Sequence, residues 1–262
     1  MHKRQGRDIY DPVAELYDRY RPAYPDELVE DVLSNSGIGS DGRALEVGCG
    51  TGQATRQFAR HGFEITCVEP SQGMLAVARR NLRECPNVRF IQDTFEDAPL
   101  EPASFELVYS AQAFHWVRPD IGYLKAGQAL RPGGSLALFW NLRDREGEDA
   151  DLRAALDSVY QAHAPDLRSP SPGHYGDEEA IRGSLAETGL FGELEVRRYP
   201  WSRTLSIDDW VSLLNTGSDH VALPDDRRDA LLSAVREALR RYGDSIEDRR
   251  VATLFFARKK GG

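Results

Sequence analysis

The sequence alternates strand-like and helix-like segments between Arg43 and Trp140, and this alternation constrains the fold more than any other feature. Short apolar runs of strand length are each followed by a segment in which apolar residues recur at helical spacing. Five runs are predicted as strands: Ala44–Val47, Glu64–Val68, Val88–Ile91, Phe105–Tyr109 and Ser135–Trp140. Strands that alternate with helices through short connections form parallel βαβ units. The sequence therefore predicts an α/β fold with a doubly wound, mostly parallel sheet.

Two further strands complete a predicted seven-stranded sheet. They are Glu193–Tyr199 and Val251–Ala257, and the helical segments Ser206–Leu214 and Asp226–Tyr242 lie between them. An insertion of helices before the last strand predicts a helical cap, with Tyr175, Trp201 and Trp210 in its core. We expect one domain over 1–262, divided into an N-terminal lid segment (1–40), a cofactor-binding core (41–145), a region of helices, sixth strand and cap (146–250) and the last strand (251–258).

Composition excludes several classes of protein. The net charge of −9 and a pI near 5.3 disfavour nucleic-acid binding, which depends on Lys and Arg contacts to phosphates. No apolar run approaches the roughly 20 residues of a membrane-spanning helix, and the basic N-terminus has no apolar stretch behind it. Cys49, Cys67 and Cys85 form neither a disulfide framework nor a metal-ligand spacing. We expect a cytoplasmic protein without a metal, acting apart from membranes and nucleic acids.

A glycine motif follows the first predicted strand, at Gly48, Gly50 and Gly52. Glycine permits a tight turn and the close approach of a ligand, and N–H groups at the start of the next helix favour an anionic group. A glycine-rich turn without function would show the same spacing. Glu69, just after the second strand, favours a nucleoside site because a carboxylate there can bind a ribose diol. Gln53 departs from the spacing of dinucleotide-binding dehydrogenases.

These motifs resemble those of the class I S-adenosylmethionine-dependent methyltransferases, which have a Rossmann-like fold. The resemblance rests on Leu45–Gly52, Val68–Ser71 and Leu130–Gly134, and covers residues 10–145. Tyr17–Pro25 and Phe114–Trp116 are most similar to the small-molecule branch that contains trans-aconitate methyltransferase.

The resemblance implies a set of residues that bind S-adenosylmethionine. The glycine loop would hold the methionine part, Glu46 its ammonium group and Glu69 the ribose hydroxyls. Thr94 and Phe95 would meet the adenine, although the family more often has Asp where Thr94 aligns and Asp93 is adjacent. The remaining predicted cofactor contacts are Ser110, Tyr17 and Arg21.

Other side chains are candidates for the reaction itself. His115 follows the fourth strand, at the edge where ligands of such folds bind, and is either a general base or a structural histidine. Trp116 is either a pocket wall or core. The N-terminal tyrosines, with Tyr20 as a substrate contact, form either a lid or an ordinary amphipathic helix. Arg143 either holds a substrate carboxylate or lies in a solvated loop.

The sequence therefore predicts an enzyme that transfers a methyl group to a small molecule, as a monomer or homodimer. A non-catalytic protein that binds S-adenosylmethionine or a partner on the same scaffold is the main alternative. A nicotinamide-dependent oxidoreductase is disfavoured because the chain contains no Tyr-x-x-x-Lys. A nucleic-acid methyltransferase is disfavoured by the negative net charge.

Overall fold

The computed structural model describes residues 9–144, 149–167 and 175–261. Seven strands form one sheet in the order β3-β2-β1-β4-β5-β7-β6. β1 pairs in parallel with β2 and β4, β2 with β3, and β4 with β5. The strands are β1 Arg43–Val47, β2 Glu64–Val68, β3 Val88–Ile91, β4 Phe105–Ala111, β5 Leu130–Arg143, β6 Phe191–Ser206 and β7 Ser245–Lys259.

Helices connect most of these strands. They are α1 Ala14–Tyr20, α2 Asp26–Ser36, α3 Gln53–Ala59, α4 Gln72–Asn81, α5 Pro119–Ala129, α6 Ala150–His163, α7 Glu178–Thr188, α8 Ile207–Leu214, α9 Ser218–Val221 and α10 Asp225–Leu239, with single 3₁₀ turns at Asp11–Val13 and Phe114–Trp116. The order confirms the predicted doubly wound sheet of seven mostly parallel strands. It also confirms the helical insertion before the last strand, formed by α8 to α10.

The chain divides into two compact units. The sheet unit contains Pro22–Leu142, Pro172–Tyr199 and Val251–Gly262, and the helical unit contains Met1–Arg21, Arg143–Ser171 and Pro200–Arg250. The boundary after Arg21 divides the predicted N-terminal segment, so that α1 belongs to the helical unit and α2 to the sheet unit. Within the described residues, no helix is both long enough and apolar enough to cross a membrane.

The sheet unit has an apolar core on the sheet. Leu45, Val108, Leu138 and Trp140 are at most 1% exposed and belong to one cluster that also includes residues of α5 and α7. The helical unit has its own core of α6, α8 and α10 residues, which includes Trp210 and four residues of α10: Leu231, Leu232, Val235 and Leu239. Each unit therefore buries apolar side chains of its own, as an independently packed unit requires.

The start of β5 differs from the prediction. The predicted strand starts at Ser135, whereas β5 starts at Leu130, so that residues 131–134 lie inside the strand. The pairing of β4 with β5 shifts there, from Phe105 opposite Leu130 to Leu107 opposite Ser135. Gly133 has a φ of +77°, so the glycine pair forms an irregularity within the strand.

β6 and β7 are longer than predicted, with 16 and 15 residues. Their predicted lengths followed the apolar runs, but the charged residues flanking those runs also have strand conformation. In β7, the buried residues concentrate in the second half, at Ala252–Ala257, whereas the first half is mostly exposed or half-buried. Hydrogen bonding between neighbouring strands, and not burial alone, sets the strand length.

Candidate functional site

The glycine loop lies where the order of strand addition reverses, between the carboxyl ends of β1 and β4. Open α/β sheets bind ligands at this position. Gly48, Gly50 and Gly52 all have positive φ, at +72°, +55° and +87°. A Cβ on Gly48 would lie 2.4 Å from the Cβ of Ala113, whereas one on Gly50 would have no atom of the described residues within 4 Å. Gly48 is therefore required by packing, and Gly50 borders open space that a ligand could occupy.

Glu69 connects this loop to the end of β2. Its Oε2 accepts a hydrogen bond from the Gly50 N–H at 3.0 Å, and its Oε1 accepts one from the Ser71 N–H at 3.0 Å. Ser71 in turn caps α4 by accepting a hydrogen bond from the Met74 N–H. The Glu69 carboxylate is 8% exposed. The structure thus places Glu69, the predicted ribose-binding residue, beside the predicted glycine loop. The two hydrogen bonds fix the orientation of its carboxylate.

Glu46 is buried beneath the loop, with 1% of its surface exposed. Its Oε2 accepts hydrogen bonds from the Thr55 hydroxyl at 2.6 Å and the Tyr109 hydroxyl at 2.8 Å. Its Oε1 has no hydrogen-bond partner among the residues that the structure describes. Burial raises the pKa of Glu46 to about 7, although these hydrogen bonds oppose the shift. An unpartnered, buried carboxyl oxygen at this position fits a cationic ligand group such as an ammonium.

The residues after β3 have mostly local contacts. The Thr94 hydroxyl donates to Asp97 Oδ2 at 2.8 Å, and Asp93 Oδ1 accepts the Thr94 N–H at 2.8 Å. The Phe95 ring is 3% exposed and packs 6.1 Å from Phe114. The side chain of Phe95 is therefore part of the core, which leaves its backbone as the group that could meet an adenine.

Ser110, at the end of β4, is fully buried. Its hydroxyl donates to the Val47 carbonyl at 2.7 Å. This bond holds the end of β1 just before Gly48. The side chain thus supports the glycine loop, through which it would influence a bound cofactor.

His115 and Trp116 form the 3₁₀ turn that follows β4. Trp140 Nε1 donates a hydrogen bond to His115 Nδ1 at 3.2 Å. Trp116 is 44% exposed, so it is not a core residue. Its exposed indole leaves the predicted role as a pocket wall open.

Sequence reasoning missed two residues beside His115. The Tyr175 ring contacts the His115 ring edge-on, with centroids 4.7 Å apart, and the Tyr175 hydroxyl accepts a hydrogen bond from Gln112 Nε2 at 2.8 Å. Tyr175 was predicted to lie in the core of the cap, but it belongs to the sheet unit and packs on the sheet core. Gln112 has a φ of +57°. A positive φ is rare for residues other than glycine and occurs preferentially at functional sites. No sequence signal predicted either placement.

The other predicted site residues belong to the helical unit. The Arg21 guanidinium donates to the Thr216 hydroxyl at 2.7 Å and to the Thr216 carbonyl at 2.9 Å, and lies 5.0 Å from the Tyr17 ring centroid. The Tyr20 carbonyl accepts a hydrogen bond from Arg203. The predicted lid residues therefore have defined contacts within their own unit.

The helical unit also contains a cavity of about 470 Å³. Its walls include Arg143, whose guanidinium lies 5.3 Å from the centroid of the Trp210 indole. Tyr160 and His220, which also line it, are hydrogen-bonded at 2.9 Å. Trp210 is buried in the core of this unit, as predicted. The volume and the mixed apolar and polar lining are typical of small-molecule sites.

The described residues contain no cluster of His, Cys, Asp and Glu that could hold a metal ion. The site at the sheet edge thus consists of a glycine loop, two buried carboxylates and a group of polar and aromatic side chains.

Comparisons with known proteins agree with this geometry. A family model described as a methyltransferase domain matches residues 45–138. An uncharacterized methyltransferase of Mycobacterium tuberculosis is 30% identical over 224 residues, which cover 85% of this chain and 82% of the relative. A probable S-adenosylmethionine-dependent methyltransferase of Saccharomyces cerevisiae is 28% identical over 196 residues, covering 70% of this chain and 65% of the relative.

A solved structure shows the same fold. Phosphoethanolamine N-methyltransferase 2 of Haemonchus contortus, in complex with phosphomonomethylethanolamine and S-adenosylhomocysteine, aligns with a TM-score of 0.59 at 19% identity. The alignment covers 97% of this chain and 60% of that chain. Together with the glycine loop and Glu69, the sequence relatives show that the chain belongs to the class I S-adenosylmethionine-dependent methyltransferases.

Proposed function

We propose that this chain transfers a methyl group from S-adenosylmethionine to a small molecule. The observation that carries the proposal is the bond between the Gly50 N–H and Glu69 Oε2. This bond joins the two elements that a nucleoside site in such a sheet requires, a glycine loop after β1 and a carboxylate after β2. The open space beside Gly50 supplies room for the ligand.

Each part of the cofactor has a candidate partner in the sheet unit. Glu69 would bind the ribose hydroxyls, since a carboxylate has two oxygens and each can accept more than one hydrogen bond. Glu46 would face the ammonium group with its unpartnered Oε1. The loop from Gly48 to Gly52 would hold the methionine part, and Thr94 and Phe95 the adenine. The cofactor contacts predicted for Ser110, Tyr17 and Arg21 remain proposals.

When bound, S-adenosylmethionine supplies an electrophilic methyl group on a sulfonium. The protein must then hold the acceptor in line with that group and exclude water. Orientation of this kind contributes roughly 7–11 kcal/mol toward lowering a reaction barrier. His115 and Trp116 are the proposed acceptor contacts at this site, and the substrate contacts predicted for Tyr20 and Arg143 stay predictions.

The charge of the chain supports a small-molecule acceptor. A net charge of −9 opposes binding to a nucleic-acid backbone. The Tyr17–Pro25 and Phe114–Trp116 motifs support a place in the branch that contains trans-aconitate methyltransferase. We propose a cytoplasmic enzyme that acts as a monomer or homodimer and binds neither membranes nor nucleic acids.

The proposal can be tested with the purified chain and S-adenosylmethionine. A panel of small carboxylic acids, phenols, amines and thiols is supplied, and formation of S-adenosylhomocysteine is measured. We expect turnover with at least one acceptor class, and its loss in the Glu69→Ala variant. Binding of S-adenosylmethionine without turnover of any acceptor would instead support the non-catalytic alternative. Turnover only with RNA or DNA would overturn the small-molecule assignment.

A further inference from the structure

The cavity of about 470 Å³ lies within the helical unit, because every residue that lines it belongs to that unit. Leu152, Leu156 and Tyr160 line it from one face of α6, where they recur at helical spacing. Trp210 and Leu214 line it from α8. These five side chains belong to the apolar core of the unit or pack against it. A molecule in this cavity would therefore bury apolar surface, as ligands of such cavities usually do.

The polar pair Tyr160 and His220 also lines the cavity but carries no charge at neutral pH. The Tyr160 hydroxyl and His220 Nε2 are 2.9 Å apart. Burial lowers the pKa of His220 to about 4, with a smaller contribution from the charge of Arg21. Burial raises the pKa of Tyr160 to about 12, and Arg143 opposes this shift while Asp219 adds to it. The charge of the cavity therefore comes from residues other than this pair.

Two arginines and two aspartates line the cavity, and they differ in their partners. The four residues are Arg143, Arg153, Asp157 and Asp219. The Arg143 guanidinium lies over the Trp210 indole, and both arginines have further interactions within the chain. The carboxylates of Asp157 and Asp219 have no hydrogen bond or ion pair with any residue that the structure describes. A charge that already has partners gains less from a ligand than one without them, so the two carboxylates favour a cationic ligand.

Asp219 is the better placed of the two carboxylates. Its side chain is exposed, so a ligand can reach it, yet partial burial raises the pKa of its carboxyl above the ordinary value. A cation bound beside it would stabilise the ionised form. The charge of Asp219 also acts on the Tyr160 hydroxyl, which places the carboxylate near an aromatic ring of the same cavity. Aromatic rings attract cations through their faces, so the two residues favour the same kind of ligand group.

We propose that this cavity binds a small organic amine in its protonated form, with the ammonium group beside Asp219 and the apolar body against Trp210 and Leu156. The volume of about 470 Å³ is within the usual range for a small molecule. The two arginines of the lining repel a second positive charge, which favours a monoamine over a polyamine. The inference concerns the helical unit alone and does not depend on the proposed methyl transfer.

Three probes that share an indole body but differ in charge test the proposal. Tryptamine is a cation, tryptophol is neutral and indole-3-propionate is an anion, and each is titrated into the full chain by calorimetry at neutral pH. We expect one tryptamine to bind per chain, with an affinity about tenfold higher than that of either other probe. Equal affinities, tighter binding of indole-3-propionate, or no binding of tryptamine at millimolar concentrations would each overturn the proposal.

Variants of single aspartates locate the bound amine. Asp219→Asn keeps the size of the side chain but removes its charge, so the affinity for tryptamine should fall about tenfold while that for tryptophol stays unchanged. Asp229→Asn is the matched control: it removes an exposed carboxylate of the same unit that does not line the cavity, and should change neither affinity.

A second variant keeps the test decisive if Asp219→Asn does not fold. Asp157→Asn changes an exposed position of α6 and should weaken tryptamine binding by about threefold, as expected for an exposed charge pair. Unchanged tryptamine affinity in the folded Asp219→Asn variant, or in Asp157→Asn where it replaces that variant, would overturn the assignment of the amine to this cavity.

Discussion

The Gly50 N–H donates a hydrogen bond to Glu69 Oε2 over 3.0 Å. This bond connects the glycine loop after β1 to the carboxylate that follows β2. The two residues are 19 positions apart in the sequence. Their contact orients the carboxylate before any ligand is present. Such preorganisation reduces the cost of ordering side chains on binding.

We expect Glu69→Ala to weaken binding of S-adenosylhomocysteine by about 100-fold, because hydrogen bonds to a charged group contribute about 1.5–3 kcal/mol each. Glu64→Ala is the matched control: it lies at the opposite end of β2, and its side chain is 63% exposed. Titration calorimetry measures both affinities. Equal affinities of the two variants would contradict the assignment of Glu69 to the ribose.

Alanine substitutions at two loop glycines should have different effects. Gly48→Ala places a Cβ 2.4 Å from the Ala113 Cβ, so we expect the free energy of unfolding to fall by several kcal/mol. Gly50→Ala meets no atom of the described part of the chain within 4 Å and should cost only about 1 kcal/mol for its positive φ. The added methyl group would enter the proposed ligand space and weaken S-adenosylhomocysteine binding. Chemical denaturation and calorimetry measure the two effects. If Gly50→Ala binds like the wild type, the space beside it does not hold the cofactor.

Cofactor binding should release a proton from Glu46. Burial raises the pKa of Glu46 to about 7, so the carboxyl is partly protonated at neutral pH. A ligand ammonium near its Oε1 would favour the ionised form and lower this pKa. Below about pH 7 we therefore expect the binding enthalpy to depend on the ionisation enthalpy of the buffer through proton release, and this release should diminish as the pH rises above about 7.

The Glu46→Gln variant is the control for this measurement. It should show no proton release at either pH and should bind S-adenosylhomocysteine about 10- to 100-fold more weakly, through loss of one charge-assisted bond. Proton release that persists in Glu46→Gln would assign the titration to another group.

The stability of the helical unit should decrease in acid because of His220. Burial lowers the pKa of His220 to about 4, with a smaller contribution from the charge of Arg21, whereas the ordinary value is 6.5. The unfolded chain then binds a proton at a higher pH than the native one. The stabilising contribution is full above pH 6.5 and is lost as the pH falls toward 4, by up to about 3 kcal/mol.

Denaturation across this pH range tests the assignment. The His220→Gln variant can still hydrogen-bond the Tyr160 hydroxyl but cannot titrate, so its loss of stability in acid should be smaller than that of the wild type. The His61→Gln variant changes an exposed histidine of the sheet unit and should follow the wild-type profile. An unchanged profile in His220→Gln would show that other groups cause the acid sensitivity.

The sequence predicted the parts of the molecule that local patterns determine. Apolar runs and helical spacing identified every strand of the sheet, and the spacing of Gly48, Gly50 and Gly52 identified the loop. The strand residues 131–134 were missed because Pro and Gly usually interrupt a strand, and here they form an irregularity within β5. A local sequence pattern does not show whether Pro and Gly end a strand or form an irregularity inside it.

The polar network around His115 was not predictable for a different reason. Trp140 is 25 residues from His115, and Tyr175 is 63 residues from Gln112. These pairs meet only because β4 and β5 are adjacent in the folded sheet and Tyr175 packs on the sheet core. Whether a histidine donates or accepts depends on such distant partners, so the sequence alone left its role open.

Hydrogen–deuterium exchange with and without S-adenosylhomocysteine reports in one experiment whether the nucleoside binds and where it binds. We expect protection of the backbone amides of residues 48–52 and 69–72 when the nucleoside is added, and no such protection in Glu69→Ala at the same concentration. Unchanged exchange in these two segments of the folded wild-type chain, at saturating nucleoside, would contradict this expectation.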